Sequence, residues 1–134
     1  MTKPTSAAAE LHANVSVPFN QAHAMPKSVY TTEEFVALEQ KHVFAKDWIC
    51  AGRAETLPNP GDYLTLTLAG EPVIVLRDRD GQVRAMSNVC RHRMSTLLEG
   101  RGSVRTITCP YHAWVYNLDG TLRGAPAMTL NEGF

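Results

Sequence analysis

Cysteine is scarce in this chain: three residues in 134, an odd number that cannot all pair. Nothing at the N-terminus marks export, because polar residues interrupt every apolar stretch of MTKPTSAAAELHANVSVP. An amphipathic, Arg-rich transit pattern is missing too. Few cysteines without an export signal fit a reducing compartment, where thiols bind metal or pack instead of bridging. A disulfide scaffold is thereby excluded, and the expected location is the cytoplasm. Long hydrophobic runs are also absent. No apolar run approaches the roughly eighteen residues of a transmembrane helix. Net charge is lacking as well, since thirteen basic residues balance thirteen acidic ones. No global field therefore recruits nucleic acid or a membrane. Locally the balance breaks: Asp78 to Arg105 holds six arginines (79, 84, 91, 93, 101 and 105) against Asp78, Asp80 and Glu99. That surface is either a solvated loop face or a docking face for an acidic redox partner.

What is present suggests a short helical start followed by β-structure. Residues 1–28 are rich in Ala, Pro, His and Thr without periodicity, and are expected to form an arm. Thr31-Thr32-Glu33-Glu34 has the form of a capping box. The helix it opens should run to about Lys46, within a segment 29–47, with Phe35, Leu38 and His42 on one face. A short strand is expected at Trp48–Arg53, with Cys50 a small buried hydrophobe. Asp62–Ala69 alternates apolar and polar residues after the turn Pro60-Gly61. Pro72–Leu76 is a continuous apolar run of the kind that forms a buried strand. Asp78-Arg79-Asp80-Gly81 should turn it into a hairpin with Gln82–Val89. Val104–Thr108 is β-branched, and Trp114–Tyr116 and Thr121–Arg123 flank the turn Asn117-Leu118-Asp119-Gly120. Short strands with frequent turns predict an all-β, antiparallel domain.

Two loops of this domain carry the chemistry. Cys90-Arg91-His92 follows one strand, and Cys109-Pro110-Tyr111-His112 follows another, with sixteen residues between His92 and Cys109. Loops fixed by neighbouring strands can face each other and gather four ligands round one point. Each loop supplies one thiolate and one imidazole. Two Cys and two His also make a tetrahedral zinc site, so a zinc-stabilised binding module is the reading from a different class. Zinc hooks usually keep at least two residues between paired ligands, which fits Cys90 and His92 poorly.

The pattern resembles the Rieske signature, in which two His replace two Cys on one iron of a 2Fe–2S centre. The resemblance implies that Cys90 and Cys109 hold the inner iron, and His92 and His112 the outer one. Two ferric ions, two sulfides and two thiolates then sum to zero charge, whereas four thiolates would leave a dianion. Reducing a neutral centre is easier, which raises its potential. Respiratory Rieske proteins add a disulfide whose cysteines would fall at Ser95 and Tyr111, and a hydrogen-bonding Ser that would fall at Trp114. Their absence places the sequence with the low-potential branch that serves oxygenases.

Asn88-Val-Cys-Arg-His-Arg93, Cys109-Pro-Tyr-His-Ala-Trp-Val-Tyr-Asn-Leu-Asp-Gly120 and Pro60-Gly-Asp-Tyr63 are similar to the large subunits of ring-hydroxylating and related Rieske oxygenases, from about Tyr30 to about Met128. Met94 and Ala113 depart from that pattern, standing where glycine is usual. The resemblance implies a Rieske-type antiparallel β-sandwich at 48–128, with 129–134 the start of a catalytic domain. It implies an electron-transfer role between a reductase or ferredoxin and a mononuclear iron held by two His and a carboxylate elsewhere. The chain alone is then not expected to oxygenate substrate, and the complete family member is expected as a homotrimer. Arg93, Tyr111, Trp114 and Tyr116 are expected to surround the cluster. The nearest functional alternative is a free-standing Rieske ferredoxin, against which the helix and arm of residues 1–46 argue.

Overall fold

The computed structural model describes residues 6–128. The segment 129–134, expected to begin a catalytic domain, lies outside the described residues, as does the start of the arm. The chain divides into two compact units, residues 1–49 and 50–134. Among the described residues no helix is long and apolar enough to cross a membrane.

The first unit is helical, including most of the stretch expected as an arm. Helix α1 spans Ala7–Val15, and the Ser6 hydroxyl caps it by accepting from the Ala9 N–H at 3.2 Å. Its alanines supply intrinsic propensity without an apolar stripe, so periodicity gave no sign of it. Asn14 ties down the returning chain: its amide donates to the carbonyls of His23 and Ala24 and its oxygen accepts from the His23 N–H. Helix α2 (Lys27–Thr31) is joined to α1 by the Ser28 hydroxyl, which donates to Glu10 at 2.5 Å. Helix α3 (Glu33–Glu39) continues through a wider turn, Gln40–Phe44, closed by the Ala45 N–H on the Gln40 carbonyl. Phe35 and Leu38 are half-buried and His42 is exposed. The capping box does not form: the Thr32 hydroxyl donates back to the Ser28 carbonyl at 2.8 Å. A donor engaged in the preceding turn is not aimed at the helix it precedes.

The second unit is built of two antiparallel sheets. Strands β1 (Asp62–Leu68), β2 (Glu71–Arg77), β3 (Val83–Ser87) and β4 (Arg101–Ser103) form a four-stranded sheet in the order β3-β2-β1-β4. Strands β5 (Ile107–Thr108), β6 (Val115–Tyr116) and β7 (Leu122–Gly124) form a three-stranded sheet in chain order. Alternation sends the residues of β1 and β2 to two faces. Tyr63, Ile74 and Leu76 join a core shared with Ile107, Trp114, Tyr116 and Leu118 of the second sheet. Leu64, Leu66, Val73 and Val75 pack with Leu57 in a second cluster. Core between two sheets is the sandwich arrangement expected.

Several expected strand limits need correction. Trp48–Arg53 forms no strand, and Cys50 is exposed, not buried. The Val104–Thr108 strand shrinks to Ile107–Thr108, while Arg101-Gly102-Ser103 forms an unpredicted edge strand on β1. Gly102 suits that place because a Cβ there would lie 3.0 Å from the Tyr63 ring. Gly61, at φ 96°, is fixed more tightly still: a Cβ would fall 2.3 Å from the Val104 carbonyl oxygen.

Candidate metal centre

The two loops that leave β3 and β5 have the same backbone. In the first, the Met94 N–H donates to the Cys90 carbonyl at 2.9 Å and the Cys90 N–H to the Ser95 carbonyl at 2.8 Å. In the second, the Ala113 N–H donates to the Cys109 carbonyl at 3.1 Å and the Cys109 N–H to the Trp114 carbonyl at 2.8 Å. Met94 (φ 54°) and Ala113 (φ 57°) occupy equivalent left-handed positions. Those are the two places where the sequence pattern led one to expect glycine. The closing hydrogen bonds hold the conformation that glycine would adopt at no steric cost.

Asn88 anchors the first loop. It is 3% exposed, and its side-chain oxygen accepts from the N–H groups of Leu97 (3.2 Å) and Leu98 (2.9 Å). Its amide donates to the Leu98 carbonyl at 2.8 Å. A bridge between Val89 and Thr96 completes the neck. The sequence motif contains Asn88 without indicating this role. An asparagine next to a candidate ligand was the available signal.

The candidate ligands come together in pairs, the two thiols in the core and the two imidazoles farther out. Cys90 and Cys109 are 1% and 2% exposed. The His92 and His112 rings meet edge to face, with centroids 4.7 Å apart. His92 is half-buried and His112 exposed. Burial alone would push the Cys90 thiol up. The Tyr116 hydroxyl, 3.2 Å from the sulfur, outweighs it together with the His92 N–H, the Cys109 side chain and the Arg93 N–H, and the thiol lies below its usual range. Burial and the neighbouring Cys90 push the Tyr116 hydroxyl up to about 12, so it stays protonated and can donate. Burial, then the charges of His112 and Arg93, lower His92 below the ordinary imidazole value. That shift favours the neutral imidazole, the form that binds a metal.

One atom tests the fit to a metal directly. His92 Nδ1 is buried without a hydrogen-bond partner. A buried polar nitrogen left unpaired is costly unless something binds it. Among the described residues no three His, Cys, Asp or Glu side chains are grouped so as to hold a metal ion. A two-iron cluster asks only two protein ligands of each iron.

The neighbours expected around the site are placed as follows. Trp114 stacks on His92, with rings 3° from parallel and centroids 4.8 Å apart. Tyr111 is exposed and leans on His112 at 3.8 Å. Tyr116 reaches Cys90 and also accepts from the Arg91 N–H at 3.2 Å. Arg93 offers its backbone N–H to Cys90 and is itself exposed. Cys50 takes no part, and His12 instead lies 3.3 Å from the Ser16 hydroxyl in α1.

Comparison with known proteins agrees with this geometry. The carnitine monooxygenase oxygenase subunit of Acinetobacter baumannii is 43% identical over 102 residues, covering 75% of this chain and 28% of that protein. The crystal structure of the quaternary ammonium Rieske monooxygenase CntA with gamma-butyrobetaine superposes with a TM-score of 0.79 at 38% identity, covering 100% of this chain and 37% of that one. Naphthalene 1,2-dioxygenase with indole bound gives a TM-score of 0.72 at 36% identity, covering 78% and 24%. The chain thus spans little more than a quarter of the length of the curated relative. The family model that matches is the Rieske [2Fe-2S] domain, over residues 47–132. With that match covering most of the chain, the protein belongs to the Rieske [2Fe-2S] domain family.

Proposed function

We propose that this chain is the electron-transfer part of a Rieske oxygenase, with Cys90 and Cys109 on one iron of the cluster and His92 and His112 on the other. The observation that carries the reading is the paired geometry: two loops closed by the same backbone hydrogen bonds, buried thiols, imidazoles farther out and a His92 Nδ1 without a partner among the described residues. The bound cluster supplies one-electron redox chemistry. The chain's own residues do the rest. The Tyr116 hydroxyl and the loop N–H groups donate toward the Cys90 sulfur, and the core behind both thiols keeps water away. Arg91 and Arg93 are exposed and take no part in an ion pair among the described residues, so they can steer an acidic reductase or ferredoxin. Oxygen activation needs open metal positions, and we place it at a mononuclear iron in a partner domain or subunit. The Rieske domain does not choose the substrate: relatives named for carnitine and for naphthalene resemble it at 43% and 36% identity.

Metal and sulfide analysis should give two irons and two acid-labile sulfides per chain, and Cys109→Ala should lose the cluster. One zinc with no sulfide refutes the assignment. Reduction by a small acidic ferredoxin should slow as salt rises. Arg91→Glu with Arg93→Glu should slow it at low salt without altering the cluster spectrum. Rates indifferent to both salt and charge reversal remove the docking role.

A further inference from the structure

We propose that Trp114 is a positioning residue, a brace from the second loop that holds His92 of the first loop in its ligating pose. The two loops lack a covalent tie. Ser95 and Tyr111 stand where respiratory relatives would place bridging cysteines, and all three cysteines of the chain are free. Contacts across the gap must therefore set their spacing. Tyr116 makes one, binding both the Cys90 sulfur and the Arg91 N–H. That contact fixes the thiol of the first loop and leaves its imidazole to be held by something else.

Trp114 meets that need. Its ring lies within 3° of parallel to His92 at 4.8 Å, while the edge-to-face contact with His112 confines the His92 ring further. A histidine offers Nδ1 to a metal only if its ring stays turned the right way. A broad parallel face resists tilting of the imidazole out of that plane. Trp114 is itself packed in, being 8% exposed, in the core cluster, and tied through its backbone carbonyl to the Cys109 N–H. The pseudo-symmetry of the loops sharpens the point. Ser95 is the equivalent of Trp114, each receiving the N–H of its loop's cysteine, yet among the described residues the Ser95 hydroxyl donates to the Thr96 carbonyl beside it. The brace thus runs one way, from second loop to first. With it, His92 Nδ1 is buried although no hydrogen bond among the described residues holds it. The inference rests on the assignment of His92 as a cluster ligand.

The test uses the full chain loaded with cluster: wild type, Trp114→Phe, which keeps an aromatic face, and Trp114→Leu, which keeps apolar bulk alone. Cluster absorbance is followed in excess iron chelator well below the melting temperature, and pulsed EPR records the nitrogen couplings of the two histidines. Trp114→Leu should release the cluster about tenfold faster, equivalent to about 1.4 kcal/mol of barrier, and should change one of the two couplings. Trp114→Phe should stay within about threefold of wild type. A leucine variant as retentive as wild type overturns the brace. So do Phe and Leu variants equally impaired with both couplings unchanged, which marks Trp114 as core volume only. Should the leucine variant not fold, Trp114→Met serves in its place. Wild type that takes up no cluster overturns the ligand assignment itself. Wild type that loads normally beside an indifferent leucine variant overturns the brace alone.

Discussion

Removing the Asn88 side chain should unfasten the first loop from the sheet. Asn88→Ala deletes three hydrogen bonds, at 3.2, 2.9 and 2.8 Å, from a residue that is 3% exposed. The Leu97 N–H keeps a second acceptor, the Asn88 backbone carbonyl at 3.2 Å. The Leu98 N–H and carbonyl lose the partners described for them. Leu98 is half-buried, so water compensates only in part. At about 1 kcal/mol per lost bond, plus desolvation of the two groups left behind, the cost should be about 2–4 kcal/mol. For a domain of this size that lowers Tm by about 10–20 °C. Thermal unfolding followed by far-UV circular dichroism measures it, and cluster absorbance in the same scan reports the loop. Absorbance should be lost before the sheet melts, because the neck opens first. Asn88→Asp separates shape from bonding: it keeps the acceptor for both N–H groups but turns a carboxylate toward the Leu98 carbonyl. It should fall between wild type and alanine. An alanine variant within about 0.5 kcal/mol of wild type, as for a surface position, would refute the anchoring role.

Three further outcomes follow from the site and its supports. Tyr116→Phe removes a donor to the Cys90 sulfur, which stabilises the reduced cluster more than the oxidised one. Voltammetry should show the potential lower by about 20–60 mV, from a bond worth about 0.5–1.5 kcal/mol, and an unchanged value would show that the hydroxyl does not act on the cluster. Met94→Gly and Ala113→Gly relieve a left-handed backbone and should leave stability equal or higher by up to about 1 kcal/mol, whereas a loss larger than that in a denaturant titration would contradict the strain. Burial raises the Asp78 carboxyl, but Arg84 and the Gln82 and Asp80 N–H groups outweigh it and hold the carboxyl below its ordinary 3.8. A depressed folded value means this contribution is complete above pH 3.8 and lost as pH falls below it. Asp78→Asn should flatten that acid limb of the stability curve, and an acid limb as steep as in wild type would exclude Asp78 as its source.

What could be read in the sequence was whatever depends on local pattern. The Cys-x-His and Cys-x-x-His spacing is local chemistry, and in the structure the His92 and His112 rings touch while Cys90 meets Cys109 in the core. The alternation of β1, the apolar run of β2 and the turn at Asp78–Gly81 depend on neighbours in sequence, and all appear where expected. What could not be read depends on distant partners. Arg101-Gly102-Ser103 has little strand propensity and becomes a strand because β1 offers an open edge, where glycine leaves room for the Tyr63 ring. Asn88 looks like any loop asparagine until the Leu97–Leu98 backbone returns to it. Residue type points Cys50 to a core, yet the chain around it makes no strand to bury it. Helix α1 was missed because alanine-rich sequence has propensity without periodicity.

The loops show how a departure from a family pattern can leave geometry intact. Glycine at a left-handed position lowers the cost of the turn, but it does not make the turn. The turn is made by backbone bonds from the fourth residue back to the cysteine and from the cysteine forward to the fifth, and these need no particular side chain. Met94 and Ala113 therefore adopt the same φ within a few degrees, at a cost of roughly 1–2 kcal/mol each. Such a cost is sustained only where the surroundings over-determine the backbone. Here the Asn88 anchor, the Val89–Thr96 bridge and the β5–β6 pairing supply that determination. The candidate ligand side chains are thus aimed by a frame whose closure lies outside the motif. The motif names the chemistry, and the anchors that fold back from Leu97 and Tyr116 give it a fixed shape.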